Sequence, residues 1–418
     1  MRVCLVTAEY PPQQGGVGDY TRELAAALRR QGADAFVLTG AASSPEEPHK
    51  GEASPSCDIS PSPPLSPSAG RGNASALSPE IAQAGGAVPV ERQVSSWGWR
   101  AWWDLDRALR RLAPQVVNVQ YQAAAYGLHP AINLWPRWAR RRWPVVVTFH
   151  DLRVPYLFPK AGRLRFRVVV EMAQSAQRAI VTNIEDQAAL SPLLRPPPAL
   201  VPIGSNIHPA PPPGFDRTAW RTRAGVAEGE TVLAYFGFLN ESKGGEELVR
   251  ALAALRQRGL AVSLWMIGGQ VGTSDPTNQT YLAHVRRLIA ELGLEAWVRW
   301  TGFVSPAEVS AHLLSADLCV LPYRDGVSFR RGSLMAALAH GLPVVSTVPR
   351  LLPPEIVDGQ NMALVPPGDA EALARRIAAL ITDPAARVRL GEGARELARS
   401  FAWDAIARRT LEVYDALV

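Results

Sequence analysis

Lysine is rare in this chain, so its positions carry information. Lys50, Lys160 and Lys243 are the three lysines among 44 basic residues. Lys243 falls in Gly237-Phe238-Leu239-Asn240-Glu241-Ser242-Lys243-Gly244, between a strand expected to end at Phe236 and a helix expected to open near Glu246. An ammonium in such a loop either sits in solvent or neutralises a leaving diphosphate. Arg330 and Arg331 precede Gly332 and Ser333, where another helix is expected to begin. Two guanidinium groups, free backbone amides and the positive helix end together suit a pyrophosphate, and the alternative is a solvated charged loop capping a structural helix. Gly15-Gly16-Val17-Gly18 opens a third helix, and its bare backbone can approach a phosphate closely. It lacks the third glycine of the dinucleotide fingerprint and reads equally as a tight turn. His150 ends the run Thr148-Phe149-His150-Asp151; on its own it reads as a satisfied structural histidine.

The elements that must position these residues follow from periodicity. Val3 to Ala8, Tyr20 to Arg30 and Ala35 to Thr39 form a strand, helix, strand unit around the glycine loop. From about 41 to 91 the chain is crowded with Pro, Ser, Gly and Ala without a sustained period, which marks a flexible insertion, and order is expected to resume near Ser96. Trp99, Trp102, Leu105, Leu109 and Leu112 then recur at helical spacing. Val116-Val117-Asn118-Val119, Val145-Val146-Val147-Thr148 and Ala179-Ile180-Val181-Thr182 are short β-branched runs. A proline-rich passage from Arg195 to Pro213 suggests a domain boundary. A second alternation follows, with strands expected at 231–236, 262–267, 298–301, 318–321, 344–345 and 362–365 and helices at 246–257, 279–292, 306–314, 333–340 and 370–382. The expected class is α/β, two doubly wound Rossmann-like domains, 1–205 and 206–400, facing across a cleft, with a C-terminal helix over 401–418 that packs back on the first.

Bulk properties narrow the partners. A length of 418 residues exceeds one ordinary core, and 47% hydrophobic with 20% charged residues is a globular profile rather than a disordered one. The net charge of +6 favours anionic partners. No nucleic-acid-reading motif is present, so nucleic acid is not an expected partner. Cys4, Cys57 and Cys319 have neither disulfide-scaffold density nor zinc spacing, and no stretch reads as a signal peptide or membrane span, so a cytoplasmic protein is expected. Trp135-Pro136-Arg137-Trp138-Ala139-Arg140-Arg141-Arg142-Trp143 reads more readily as a solvated helix end than as a patch for the inner face of an anionic membrane, and both readings stay open.

Taken jointly, the motifs resemble glycosyltransferase family four, the retaining enzymes of GT-B architecture. The resemblance spans nearly the full length. It rests on Glu9-Tyr10-Pro11-Pro12 with Gly15-Gly16-Val17-Gly18, on Thr148 to Asp151, on Gly237 to Gly244, on Ile267-Gly268-Gly269, on Gly302-Phe303-Val304, on Ala339 to Val345 and on Phe401-Ala402-Trp403. It implies a nucleoside diphosphate sugar as donor and a hydroxyl acceptor that is carbohydrate, lipid-linked or a small molecule. It further implies a glycine loop at Gly15 and Gly16 reaching the diphosphate, His150 beside the transfer site, Lys243 on the phosphates, and the backbone near Phe303 and Val304 holding the base.

The departures are as informative. Family members usually carry two glutamates where this chain has Ser328 and Ala336, and an arginine where it has Phe238. Asp325 is then a candidate replacement carboxylate, and Arg330 and Arg331 are candidate replacements for the missing positive charge. The expected catalytic set is His150, Asp325, Arg330 and Arg331; the expected donor-binding set adds Gly15, Gly16, Lys243, Gly268, Phe303, Val304, Ser328, Gly332 and Ser333. Hexosyl transfer with retention, without a metal or cofactor, is the expected activity. A weak or inactive homologue that binds a sugar nucleotide or a partner, or another enzyme of this architecture such as an epimerase or phosphorylase, stays open beside it.

Overall fold

The computed structural model describes residues 1–13, 15–41, 87–152, 162–269 and 276–418. The insertion expected over 41–91 lies largely outside them, but its end does not. Val90–Val94 is a strand, so order resumes before Ser96. Its alternation Val-Glu-Arg-Gln-Val leaves all but Val94 partly exposed, as suits the edge of a sheet.

The N-terminal half is a seven-stranded sheet. Its strands are β1 (Arg2–Val6), β2 (Asp34–Gly40), β3 (Val90–Val94), β4 (Val116–Tyr121), β5 (Val145–Phe149), β6 (Arg178–Val181) and β7 (Ala199–Leu200), in the order β3-β2-β1-β4-β5-β6-β7. Every pairing is parallel. Its helices are α1 (Gly16–Arg30), α2 (Ala101–Leu112), α3 (Ala131–Ala139), α4 (Gly162–Ser175) and α5 (Ile184–Leu190). β4 and β5 are buried at every position, and their near-continuous Val content reflects a sheet covered on both faces. β7 lies inside the proline-rich passage, where an edge position tolerates missing amide donors.

The C-terminal half is a six-stranded parallel sheet. Its strands are β8 (Thr231–Phe236), β9 (Val262–Ile267), β10 (Val298–Gly302), β11 (Leu318–Leu321), β12 (Val344–Thr347) and β13 (Ala363–Val365), ordered β10-β9-β8-β11-β12-β13. The helices are α6 (Arg217–Arg223), α7 (Gly245–Gln257), α8 (Pro276–Glu291), α9 (Pro306–Ser315), α10 (Gly332–Ala339), α11 (Ala370–Thr382), α12 (Pro384–Arg399) and α13 (Trp403–Asp415). The two sheets with interleaved helices make the two-domain α/β layout of GT-B proteins.

The last helix leaves its own sheet. α13 packs against α1, and Trp403, Ile406, Ala407 and Tyr414 join the core beneath the N-terminal sheet. Inside that core Asn118 Nδ2 donates to Tyr414 Oη at 2.6 Å while its Oδ1 accepts from Thr148 Oγ1 at 3.0 Å, so the buried amide is satisfied from both sides.

The surface reading of the Trp135–Trp143 stretch is corrected here. Trp135 is fully buried and Trp143 nearly so. Trp138 is partly buried, with the Arg142 guanidinium 4.5 Å over its ring. The aromatic side chains enter the core, while Arg142 covers the face of Trp138 and Arg137 pairs with Glu171 at 3.0 Å.

Candidate functional site in the cleft

In doubly wound sheets the crevice forms where the strand order reverses. That point is β1/β4 in the first sheet and β8/β11 in the second. The loops after these four strands meet across a cleft of about 880 Å³ lined by both halves. Gly16, Tyr20, Gln122 and His150 come from the N-terminal side, and Ser242, Arg324, Asp325, Arg330, Arg331 and Gly332 from the C-terminal side. The topology thus brings Gly16, His150, Asp325, Arg330, Arg331 and Gly332 together, as the sequence suggests.

The glycine loop is shaped by close approach. A Cβ at Gly15 would stand 2.1 Å from Glu9 Oε2, and one at Gly18 would stand 2.9 Å from the Glu9 carbonyl oxygen. Gly16 has open space around it. The loop is therefore pressed onto the residues after β1 and leaves the start of α1 facing the cleft, with no side-chain cap on its first amides.

The loop after β8 holds Lys243. Gly244 adopts φ +69°, and a Cβ there would stand 1.9 Å from the Pro322 carbonyl oxygen. Only glycine allows the β8 and β11 loops to touch at this point. Arg324 fastens the same contact. Its guanidinium reaches Glu247 at 2.7 Å, Glu241 at 2.9 Å and Glu246 at 3.3 Å, and its amide donates to Ser242 O at 2.9 Å. Lys243 Nζ is left beside the backbone of Gly237, 3.3 Å from where a Cβ there would be. Burial of the ammonium pulls its pKa down to about 8, and the nearby Arg331 charge acts in the same direction. Lys243 itself is absent from the residues lining the open cleft and sits just behind Ser242.

Arg330 and Arg331 are already engaged by a carboxylate. Asp325 accepts from Arg331 at 2.6 and 2.7 Å and from Arg330 at 3.1 Å, and Arg330 also reaches Asp151 of the other domain at 3.5 Å. The expectation that both guanidiniums stand ready for a diphosphate is corrected to this extent: in this state Asp325 holds the place of an anion between them. Gly332 then begins α10, which, unlike α9 with its Ser305–Glu308 capping box, has no side-chain cap. Behind Asp151, Asp186 sits in the first turn of α5. Burial pushes its pKa up to about 6, against the lowering effect of its Asn183 hydrogen bond, and the Asp151 charge adds to the rise.

His150 is held neutral. Burial pushes its pKa down to about 3; its Nε2 lies 2.9 Å from Gln120 Oε1 and its amide donates to Tyr121 O. Tyr20 meets its ring edge-on at 4.6 Å, and Trp403 meets Tyr20 at 5.3 Å. Trp403 is locked in turn by donating to Ser205 O at 2.7 Å. A neutral imidazole fixed by such a stack can hold a hydroxyl or accept a hydrogen bond but carries no charge at neutral pH.

Other expected positions lie elsewhere. Ser328 faces a separate cavity of about 130 Å³ with Phe401 and Arg409, and Ala336 is buried inside α10, so neither usual glutamate position opens on the large cleft. Ser333 Oγ pairs with Tyr323 Oη at 2.7 Å. The Gly268 amide is occupied by Thr301 Oγ1 at 3.0 Å. Phe303 is 78% exposed, and Val304 packs on the C-terminal core; neither lines the cleft. Phe238 covers Gly269, where a Cβ would stand 2.7 Å from its ring. His340 is structural, between Ala336 O at 2.7 Å and Ser310 Oγ at 2.9 Å. Residues without a signal in the sequence are Tyr20, Arg324 and Asp186. Arg324 stands in a motif that draws attention to its neighbours, and only the three glutamates around it reveal its task.

Two family models match the chain: the Glycosyl transferase 4-like domain over residues 15–204 and Glycosyl transferases group 1 over residues 230–383. Curated relatives include the D-inositol 3-phosphate glycosyltransferase of Corynebacterium glutamicum, 33% identical over 49% of this chain and 48% of that protein. That of Kribbella flavida is 27% identical over 66% of this chain and 67% of that protein. The match spans about half the length of the first of these relatives. Among solved structures, sucrose-phosphate synthase from Thermosynechococcus elongatus superposes with a TM-score of 0.71 at 20% identity, covering 100% of this chain and 99% of that one. Anabaena HepE in complex with UDP and glucose superposes with a TM-score of 0.72 at 20% identity over 100% of both chains. The motifs, the two facing sheets and both family models agree: the chain belongs to the group 1, family 4-like glycosyltransferases.

Proposed function

We propose that the chain transfers a hexosyl group from a nucleoside diphosphate sugar to a hydroxyl acceptor with retention and without a metal ion. One observation carries the reading. Two uncapped helix N-termini, those of α1 and α10, open on a single cleft lined by Arg330 and Arg331, with Lys243 just behind its wall at Ser242. Donors of this kind stabilise a departing diphosphate as its charge develops. Retention follows the family resemblance, in which the leaving phosphate takes the acceptor proton while His150 orients nearby groups. UDP is the first donor nucleotide to test, because HepE is seen with it. A thermal-shift series of nucleoside diphosphate sugars checks the reading: a bound donor at a hundred times its Kd raises stability by about 2.7 kcal/mol. No shift with any of them, in the full chain, contradicts it.

A second reading has its own support. Asp325 closes on both arginines, and the usual glutamate positions are turned away from the cleft. A sugar-nucleotide-binding protein with little transferase activity shows donor binding without hydrolysis or transfer on any acceptor.

The acceptor is carbohydrate, lipid-linked or a small hydroxyl compound, used by a cytoplasmic protein. Peripheral contact with the inner face of an anionic membrane falls on α2 and the residues before it. Trp99 is 50% and Trp103 71% exposed there, beside Arg100 and Arg107. Among the described residues no helix is long and apolar enough to cross a membrane.

A further inference from the structure

A second cavity, of about 390 Å³, opens on the N-terminal domain alone, a size within the usual range of ligand pockets. Its walls come from the C-terminal ends of the first four strands: Glu9 and Gln13 after β1, Gly40 at the end of β2, Ser96 and Trp97 after β3, and Ala125 after β4. It adjoins the large cleft through two loops. Ala123 and Ala124 line the cleft while Ala125 lines the cavity. Glu9 Oε2 lies against Gly15, beside the start of α1.

Glu9 stands out in this wall. Its carboxylate is half-buried, yet among the described residues no hydrogen bond or ion pair reaches it, and burial pushes its pKa up. A half-buried carboxylate that lines an open cavity, with no protein partner among the described residues, keeps its acceptor oxygens open to a ligand. The Trp97 indole N–H likewise has no partner among the described residues and lies beside Gly40. Among the described residues no lysine or arginine lines the cavity. Arg92 donates to Pro11 O, lies over the Tyr10 ring at 6.0 Å, and is not among the residues that line the cavity.

We propose that this cavity binds the acceptor as a neutral, polyhydroxylated unit, a sugar ring without phosphate, whose adjacent hydroxyls donate to Glu9 while Trp97 supplies an apolar face and one N–H donor. An ionised carboxylate is acceptor-only with two oxygens, which matches a pair of neighbouring hydroxyls; each bond is charge-assisted. A phosphate in the same place meets a like charge with no cation among the described lining residues to offset it, which turns Glu9 into a rejecting element as well as a binding one. The inference rests on the transferase reading for the word acceptor, and on the cavity alone for the chemistry bound.

Ligand-observed NMR on the full chain tests it, with a panel of methyl glycosides and the matching sugar phosphates, in the presence of UDP or GDP. The expected result is binding of at least one neutral glycoside, with its phosphate binding more weakly. Glu9→Gln keeps the shape and removes the charge, and the glycoside Kd is expected to rise about tenfold or more. Trp97→Ala is expected to act in the same direction. Tighter binding of the phosphates, no binding of any neutral glycoside, or an unchanged Kd in Glu9→Gln overturns the proposal. Absence of UDP and GDP binding beside normal glycoside behaviour instead strikes the donor reading and leaves the cavity assignment standing.

Discussion

Lys243, Arg330 and Arg331 are the charges on which donor binding turns. Lys243→Ala removes one charge-assisted contact, and donor affinity is expected to fall about ten- to a hundredfold with the fold intact, as read by calorimetric titration. The pH dependence follows from the pKa of about 8. The ammonium is protonated below that value and loses its proton above it, so UDP affinity is expected to decline as pH rises through about 8, and Lys243→Ala should lack that decline. Arg330→Lys or Arg331→Lys keeps charge but loses the planar fork; at one of the two positions single-turnover rate is expected to drop more than donor affinity, because charge on the diphosphate grows toward the transition state. Wild-type rates and affinities in both variants contradict that. These three residues were legible because each stands just before an expected helix. Asp325, the carboxylate they share, stood in the same motif, but the partner in the other domain was not legible: Arg330 and Asp151 are 179 positions apart, and nothing local to either announces the other.

At the scale of elements, Gly244 joins the β8 and β11 loops. Gly244→Ala combines positive φ with a clash on Pro322 O, so a loss of stability of at least about 1–2 kcal/mol is expected in chemical denaturation, with weaker donor binding as Lys243 shifts. Unchanged stability and affinity contradict the tight-contact account. Most strands of both sheets were readable, since buried parallel strands such as Val145–Phe149 write themselves as β-branched runs. β3 was not, because Val-Glu-Arg-Gln-Val carries an edge strand's mixed pattern directly after a Pro/Ser-rich stretch. Trp135 misled for the opposite reason: its basic neighbours suggest surface, and burial on α3 depends on the packing of α2 and α4 around it.

The whole molecule places two sheets so that their switch points face each other, and it returns α13 to the first sheet, where Trp403 backs the Tyr20–His150 stack. The exposed tryptophans of the α2 face give a further test at this scale. Trp99→Ala/Trp103→Ala is expected to reduce co-sedimentation with anionic vesicles at low salt, with a small fall in melting temperature because Trp103 stands mostly in solvent while the half-exposed Trp99 gives up its edge contacts with Trp102 and His129; wild-type binding in the double variant, or none in the wild type, removes the membrane face. The central claim is transfer across the cleft, and a proton-NMR time course of the full chain with a nucleoside diphosphate sugar, a neutral glycoside acceptor and excess chelator tests it most directly. The account predicts a new glycosidic signal with the donor's anomeric configuration, lost in Lys243→Ala/Arg330→Ala. No product from any donor and acceptor pair, an inverted anomeric signal, or product only after a divalent metal is restored contradicts it.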